Sequence, residues 1–189
     1  GTSGRNPITF DNWNNSKILA YWKYDDATKP GKDSHSWLGR LNNIRTALQG
    51  QQGDRRLRLG IAGGEWKKMM ADATARTRFA SEVKKIIEQY DFDGVDFDFE
   101  WPANASEYNN YSATVIQMRS TLGKYVYFTA SLHPVSFKIS PEAIDALDFI
   151  SYQCYGPAVM RFPYEQFVKD GEAAVAYGIP KNKLVMGVP

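Results

Sequence analysis

The stretch that decides the fold is Asp93-Gly94-Val95-Asp96-Phe97-Asp98-Phe99-Glu100. Acidic and bulky apolar residues alternate along it, the two-residue period of a β-strand. On a strand, Asp96, Asp98 and Glu100 share one face, and Val95, Phe97 and Phe99 share the other. The apolar face asks for a covering layer of helices, which argues against an acidic edge standing in water. The acidic face then opens on a pocket or a barrel interior. Asp93-Gly94 reads as the turn into the strand, so Asp93 is given a structural role.

Three carboxylates spaced two residues apart repel one another in a poorly solvated place, and such crowding raises the pKa of at least one of them. A carboxyl kept protonated near neutral pH can act as a proton donor. Glu100 lies toward the carboxyl end of the strand, where parallel β/α proteins bind ligands. Glu100 is therefore the candidate proton donor, with Asp98 and Asp96 as its tuners. Carboxylate rows at strand ends also suit magnesium. No Lys or His base stands near this row, and the only histidines are His35 and His133, so no metal and no cofactor is expected.

The rest of the chain frames this strand in a strand and helix rhythm. Residues 1–16 are polar and read as a loose arm. Lys17 to Tyr24 reads as a first strand, and Asp25 to His35, with Pro30-Gly31, as a loop. Leu38, Leu41, Ile44, Ala47 and Leu48 form one helical face. Leu57 to Ala62 is a second strand, stopped by Gly63-Gly64. Phe79, Val83, Ile86, Ile87 and Tyr90 make the apolar stripe of a long helix. After the acidic strand, Asn110 to Leu122 reads as a helix with Tyr111, Val115, Met118 and Leu122 on one side. Tyr125 to Leu132 is a strand, Ser140-Pro141-Glu142 opens a short helix, and Phe149 to Tyr155 is a strand. Tyr164 to Tyr177 is helical, and Lys183 to Val188 is a last strand. Apolar strands alternating with helices favour a parallel β/α architecture. A doubly wound sheet is satisfied with six strands, whereas a closed eight-stranded barrel needs about 250 residues; the pattern alone leaves both open.

Bulk properties narrow the function. The chain has 189 residues, 43% of them hydrophobic, enough for one sizeable core. A net charge of +2 gives no case for nucleic acid or an anionic membrane as main partner. The densest basic cluster, Arg55 to Arg58, reads as a solvated approach to a strand. No apolar run reaches the length of a membrane span. Cys154 is the only cysteine, so no internal disulfide forms; on the strand it falls to the helix side as an inert core thiol. The opening Gly1-Thr2-Ser3-Gly4 reads as a trimmed or engineered start, compatible with a removed export signal.

With Trp101-Pro102 directly after it, the acidic strand resembles the fourth barrel strand of the chitinase-like glycoside hydrolases of family 18, whose motif is D-x-x-D-x-D-x-E. All four acidic positions match. The resemblance extends to strand one at Lys17 to Trp22, the S-x-G-G segment at Ile61 to Gly64, strand five at Tyr127 to Leu132, strand six at Phe149 to Tyr155 and the start of strand seven at Leu184 to Pro189. It implies a (β/α)8 TIM barrel over residues 17–189 that cleaves β-1,4 links beside N-acetylglucosamine. This family is a substrate-assisted exception to the two-carboxylate scheme. The resemblance gives Glu100 the role of acid, then base. It has Asp98 orient the substrate's acetamido group, and Asp96 share a proton with Asp98. Gln153-Cys154-Tyr155 is similar to the Q-x-Y form of one branch, which makes Gln153 a substrate contact and Tyr155 the hydroxyl that holds the acetamido oxygen. A competing register would give that task to Tyr152. Tyr21, Trp22, Trp66 and Trp101 are candidate sugar-stacking rings, Trp101 either lining the cleft or packing beside it. His133 lies just past strand five, and alone reads as a structural histidine.

Four departures from the family pattern stand out. Ile61 occupies the serine position that supports the inner aspartate, which leaves the support of Asp96 open. No strand is evident between Tyr24 and Leu57, strand eight is absent, and Gly156 follows Tyr155 where Asn or Asp is common. The missing strands lead to the expectation that the chain lacks segments of the natural protein. The resemblance implies a secreted, periplasmic or cell-surface chitinase, a monomer acting on chitin or another N-acetylglucosamine oligosaccharide. The alternatives are an endo-β-N-acetylglucosaminidase of the N-glycan chitobiose core and a non-hydrolytic sugar-binding protein.

Overall fold

In the computed structural model, which describes residues 37–49, 56–63, 66–155 and 164–188, the acidic stretch forms an interior strand of a parallel sheet. Helix α1 (Trp37–Gln49) matches the helix expected at 38–48 and belongs to a separate compact unit ahead of Arg58. The expected arm, first strand and loop of residues 1–35 lie outside the described residues.

From Arg58 onward the elements are β1 (Arg58–Gly63), α2 (Lys67–Ala71), α3 (Ala73–Tyr90), β2 (Gly94–Phe99), α4 (Ala105–Leu122), β3 (Tyr127–Leu132), α5 (Pro141–Ala146), β4 (Phe149–Gln153), α6 (Tyr164–Tyr177) and β5 (Leu184–Gly187). All four pairings are parallel, and the strands stand in chain order. A doubly wound sheet reverses its order part-way; this one does not. Right-handed crossovers that step in one direction put their helices on one face. Burial follows that rule. Val95, Phe97, Phe99, Phe128, Ala130, Leu132, Ile150 and Tyr152 are buried at alternating positions, against Phe79, Val83 and Ile86 of α3 and Tyr111, Val115 and Met118 of α4. Each large side chain buried this way contributes about 1.5–3 kcal/mol. Phe97 sits between Phe79 and Tyr111, with ring centroids 5.7 and 5.3 Å away. The Tyr111 hydroxyl donates to the Phe97 carbonyl at 2.9 Å.

Several boundaries differ from the expected ones for identifiable reasons. Helix α4 starts at Ala105 rather than Asn110, because Asn104 accepts from the Glu107 amide (3.0 Å) while Glu107 accepts from the Ala103 amide (2.7 Å). That reciprocal cap supports a first turn that has no apolar stripe. Strand β3 starts at Tyr127, and Tyr125 is 88% exposed. Strand β4 ends at Gln153, short of Tyr155. Helix α5 starts where Ser140-Pro141-Glu142 was expected to open one, and Ser140 caps it by accepting from the Ala143 amide at 3.2 Å. Gly94 is the first residue of β2, not a free turn position. A Cβ there would fall 1.9 Å from the Tyr127 carbonyl oxygen, so only glycine fits the strand approach.

Arg119 ties the amino-terminal ends of β3 and β4 together. It donates to the carbonyls of Ala146 (2.6 Å), Gly123 (3.0 Å) and Val126 (2.9 Å), and pairs with Asp148 at 2.8 Å. Asp148 in turn accepts from the Phe128 amide at 2.7 Å. Arg119→Ala is expected to cost about 2–3 kcal/mol, because several acceptors lose their donor at once. Arg119→Lys should recover only a minor part, since an ammonium lacks the planar fork. Urea denaturation checks both.

Candidate active site

The site is the face of the sheet that the helices leave uncovered. In the β1–β2–β3 register, Asp96 stands between Gly60 and Thr129, and Asp98 stands beside Ala62. Ser131 of β3 lies beside Ser151 of β4. The β1 neighbours of the acids are thus small, and a Cβ added to Gly60 would meet nothing within 4 Å. Asp96 and Asp98 are half-buried, and Glu100, one residue past the strand, is exposed. The row expected from alternation is therefore present, with its apolar partners fully covered.

Asp96 is the most heavily bonded acid. Ser131 donates to its Oδ2 at 2.7 Å, and the Thr129 hydroxyl donates to its Oδ1. Arg58 Nη1 approaches Oδ1 at 3.4 Å and also donates to Thr129 Oγ1. The Arg58 guanidinium lies 4.8 Å over the Phe149 ring. Arg58 is thus not part of a solvated basic cluster, as its RRLR setting suggested; its alternation on β1 turns it inward. Ile61, at the serine position of the S-x-G-G segment, pairs with Phe97 and stands on the opposite face from the acids. The support missing there comes instead from Thr129, Ser131 and Arg58. Thr129 and Ser131 are two apart in YFTASL, and that spacing was the available signal.

Asp98 is the acid that the crowding raises. Burial first, then the charges of Glu100 and Asp96, push its carboxyl up from 3.8 to about 7; a hydrogen bond shared with Glu100 adds to the rise, and the Gln153 amide acts against it. Gln153 Nε2 reaches Asp98 Oδ2 at 3.5 Å. Behind the row, burial and the charges of Asp96 and Asp98 push the Tyr111 phenol well above its usual range.

The outer rim joins three strand ends. His133, 2% exposed, contacts the Tyr155 carbonyl through Nε2 at 2.9 Å, while its Nδ1 accepts from the Val135 amide at 3.3 Å. An accepting Nδ1 leaves Nε2 as the donor. The Glu100–Trp101 peptide is cis, and the half-buried Trp101 ring packs 5.0 Å from His133. Tyr155 is 39% exposed, whereas Tyr152 is fully buried on the helix side, edge-on to Phe137 at 5.8 Å. Cys154 is buried. Trp66 does not join the site. It is 6% exposed, packs 5.3 Å from Phe79 and donates to the Ala62 carbonyl at 3.4 Å, so it is a core ring rather than a stacking platform. Tyr21 and Trp22 lie outside the described residues, as does Gly156. Among the described residues, no three His, Cys, Asp or Glu side chains are grouped as metal ligands would be, and no helix is long and apolar enough to cross a membrane.

A family model described as glycosyl hydrolases family 18 matches residues 6–189. The chain is 24% identical over 164 residues to a class V chitinase of Arabidopsis thaliana, covering 69% of this chain and 43% of that protein. Among solved structures, a chitinase from Bacteroides thetaiotaomicron is similar with a TM-score of 0.69 and 19% identity, over 80% of this chain and 51% of the other. A class V chitinase from Nicotiana tobaccum in complex with NAG4 is similar with a TM-score of 0.61 and 19% identity, over 85% of this chain and 54% of the other. The chain thus spans about half or less of the length of these relatives, and the likeness is that of a TIM-barrel-like α/β fold. A five-stranded, singly wound sheet with an acidic row on its open face, matched by the family model along nearly its whole length, places this chain in family 18 of the glycosyl hydrolases.

Proposed function

We propose that the chain carries the catalytic row of a retaining, endo-acting chitinase that cleaves β-1,4 links beside N-acetylglucosamine. The observation that carries this reading is the Asp98–Glu100 pair, two linked carboxyls at the open end of β2, one of them raised to about 7. Asp98 thus holds a proton near neutral pH, and its hydrogen bond with Glu100 gives that proton a path to the outer acid. Glu100, the exposed member, delivers it to the glycosidic oxygen as the bond to C1 breaks. The substrate's acetamido oxygen closes on C1, giving a cyclic oxazolinium intermediate, while Asp98 orients and polarises the acetamido group. Tyr155 steadies the acetamido oxygen, and Trp101 borders the sugar site. Water then attacks C1 as the bond from C1 to the acetamido oxygen breaks, and gives a proton to the Glu100 carboxylate, so the configuration is retained. No carboxylate of the protein attacks, in keeping with the family's substrate-assisted scheme.

The reading includes an eight-stranded barrel in the whole protein, a monomer, and a site of action at or beyond the cell surface, where such polymers occur. The contact between Gln153 and Asp98 favours a second reading. In it, the site is an endo-β-N-acetylglucosaminidase cutting the chitobiose core of N-glycans, and Gln153 reads the acetamido side of the pocket. Chito-oligosaccharides and a high-mannose glycoprotein, each offered to the whole protein, separate the two. Turnover of the oligosaccharides is expected. Release of glycan from the glycoprotein alone overturns the chitinase reading, and binding of sugar without turnover of either points to a non-hydrolytic protein.

A further inference from the structure

We infer that His133 is a positioning residue: its imidazole holds the main chain of Tyr155 at the mouth of the site, where the strand ladder no longer does, and so sets the Tyr155 hydroxyl against the acetamido oxygen. This rests on the proposed role of Tyr155 and goes beyond it by naming what keeps that residue in place.

The register of β3 and β4 runs out at the pair Leu132 and Tyr152. Tyr155 lies beyond that pair and past the end of β4, and it is 39% exposed. Toward β5 the chain is held once more, by the Cys154 amide donating to the Gly187 carbonyl at 3.2 Å. Toward β3 the hold comes from a side chain. His133 is the first residue after β3, and its Nε2 meets the Tyr155 carbonyl at 2.9 Å. A side-chain donor thus takes over from the ladder where the strands end.

The imidazole is itself fixed. The His133 carbonyl accepts from the Ser136 amide at 2.7 Å, which closes a turn, and Nδ1 accepts from the Val135 amide at 3.3 Å. A backbone N–H only donates and a carbonyl only accepts, so both ring contacts agree on one tautomer, with the proton on Nε2. The ring is 2% exposed and has Trp101 packed beside it, centroids 5.0 Å apart. A buried ring with both nitrogens engaged has little freedom, and it passes that stiffness to Tyr155. On the other side, a Cβ added to Gly187 would lie 3.4 Å from Tyr155 Cε1. The Tyr155 ring therefore leans over a strand position that carries no side chain. His133 fixes the backbone, and bare Gly187 leaves the ring its place.

The test uses the whole protein and chito-oligosaccharide hydrolysis, with His133→Phe, His133→Asn and His133→Gln, alone and with Tyr155→Phe. Phenylalanine keeps the ring and removes both nitrogens. Asparagine keeps an acceptor for the Val135 amide near the place of Nδ1 but falls short of the Tyr155 carbonyl. Glutamine carries an N–H as far out as Nε2. His133→Phe and His133→Asn should lower kcat about 10-fold with KM within about 2-fold, as expected when a group used in the transition state is displaced. His133→Gln should recover most of the rate. In the Tyr155→Phe background, where the hydroxyl is gone, His133→Phe should cost less than about 2-fold more, because the two residues act through one contact. Imidazole 15N NMR of the wild type reads the contact without turnover, and should show the proton on Nε2 and none on Nδ1. Recovery by asparagine rather than glutamine would mean that His133 serves only its own turn. That result, an undiminished loss in the Tyr155→Phe background, or a wild-type Nε2 without its proton each overturns the inference and leaves the hydrolase reading intact. A wild type that turns over neither chito-oligosaccharide nor glycoprotein overturns the hydrolase reading instead, and the 15N spectrum still decides whether His133 holds Tyr155.

Discussion

Glu100→Gln should reduce hydrolysis of chito-oligosaccharides about 10³-fold in kcat with little change in KM, the scale on which a general acid contributes. The side chain is exposed and lies beyond the end of β2, so its replacement leaves the core untouched. Stability should therefore stay within about 0.5 kcal/mol. The loss should also depend on the leaving group. With a 4-nitrophenyl glycoside, whose leaving oxygen needs little protonation, the variant should recover a large part of the rate. Steady-state kinetics on both substrates check this. Equal losses on both would mean that Glu100 serves binding or structure rather than proton transfer.

Asp98→Asn should separate activity from stability. Activity should fall about 10²-fold, the scale for losing one oriented charge beside a developing cation. Stability should move the other way at high pH. The folded-state carboxyl titrates at about 7 against 3.8 in its ordinary environment. Below about pH 4 both folded and unfolded chains hold the proton, and the carboxyl costs nothing. As the pH rises toward 7 the unfolded chain releases its proton before the folded one, and the fold loses stability. Asparagine removes that loss. The variant should be more stable than wild type above pH 7, by about 1–2 kcal/mol after solvent screening of a half-buried group, and the two should converge below about pH 4. Denaturation midpoints at several pH values give the comparison. A variant that is less stable at pH 8 would show that the crowding is not a strain.

These two outcomes turn on features with different legibility in the sequence. The row itself is local: alternation of acids with Val95, Phe97 and Phe99 assigns both faces without any partner. The stripes Phe79, Val83, Ile86, Ile87, Tyr90 and Tyr111, Val115, Met118, Leu122 are local too, and all of them but the half-buried Tyr90 are buried. What surrounds the row is not local. Arg58, Thr129 and Ser131 reach Asp96 only because of the register of three strands separated by whole helices, and no pattern within one strand encodes that register. The same limit hid the true place of Ile61, opposite Phe97 rather than beside Asp96. Trp66 shows a different limit. A stacking ring and a core ring look alike in sequence, and only the packing against Phe79 tells them apart. Tyr155 lies past the end of its strand, where alternation no longer applies, and is set instead by the contact of its carbonyl with His133.

The central claim is that hydrolysis runs in two displacements through an intermediate, and not by direct attack of water on the anomeric carbon, while Glu100 moves the proton. Its most direct measurement is 1H NMR of the new reducing end during the first minutes of chito-oligosaccharide hydrolysis, before mutarotation mixes the anomers. The account predicts the β-anomer first. An initial α-anomer would mean direct attack by water on the opposite face, and would contradict it.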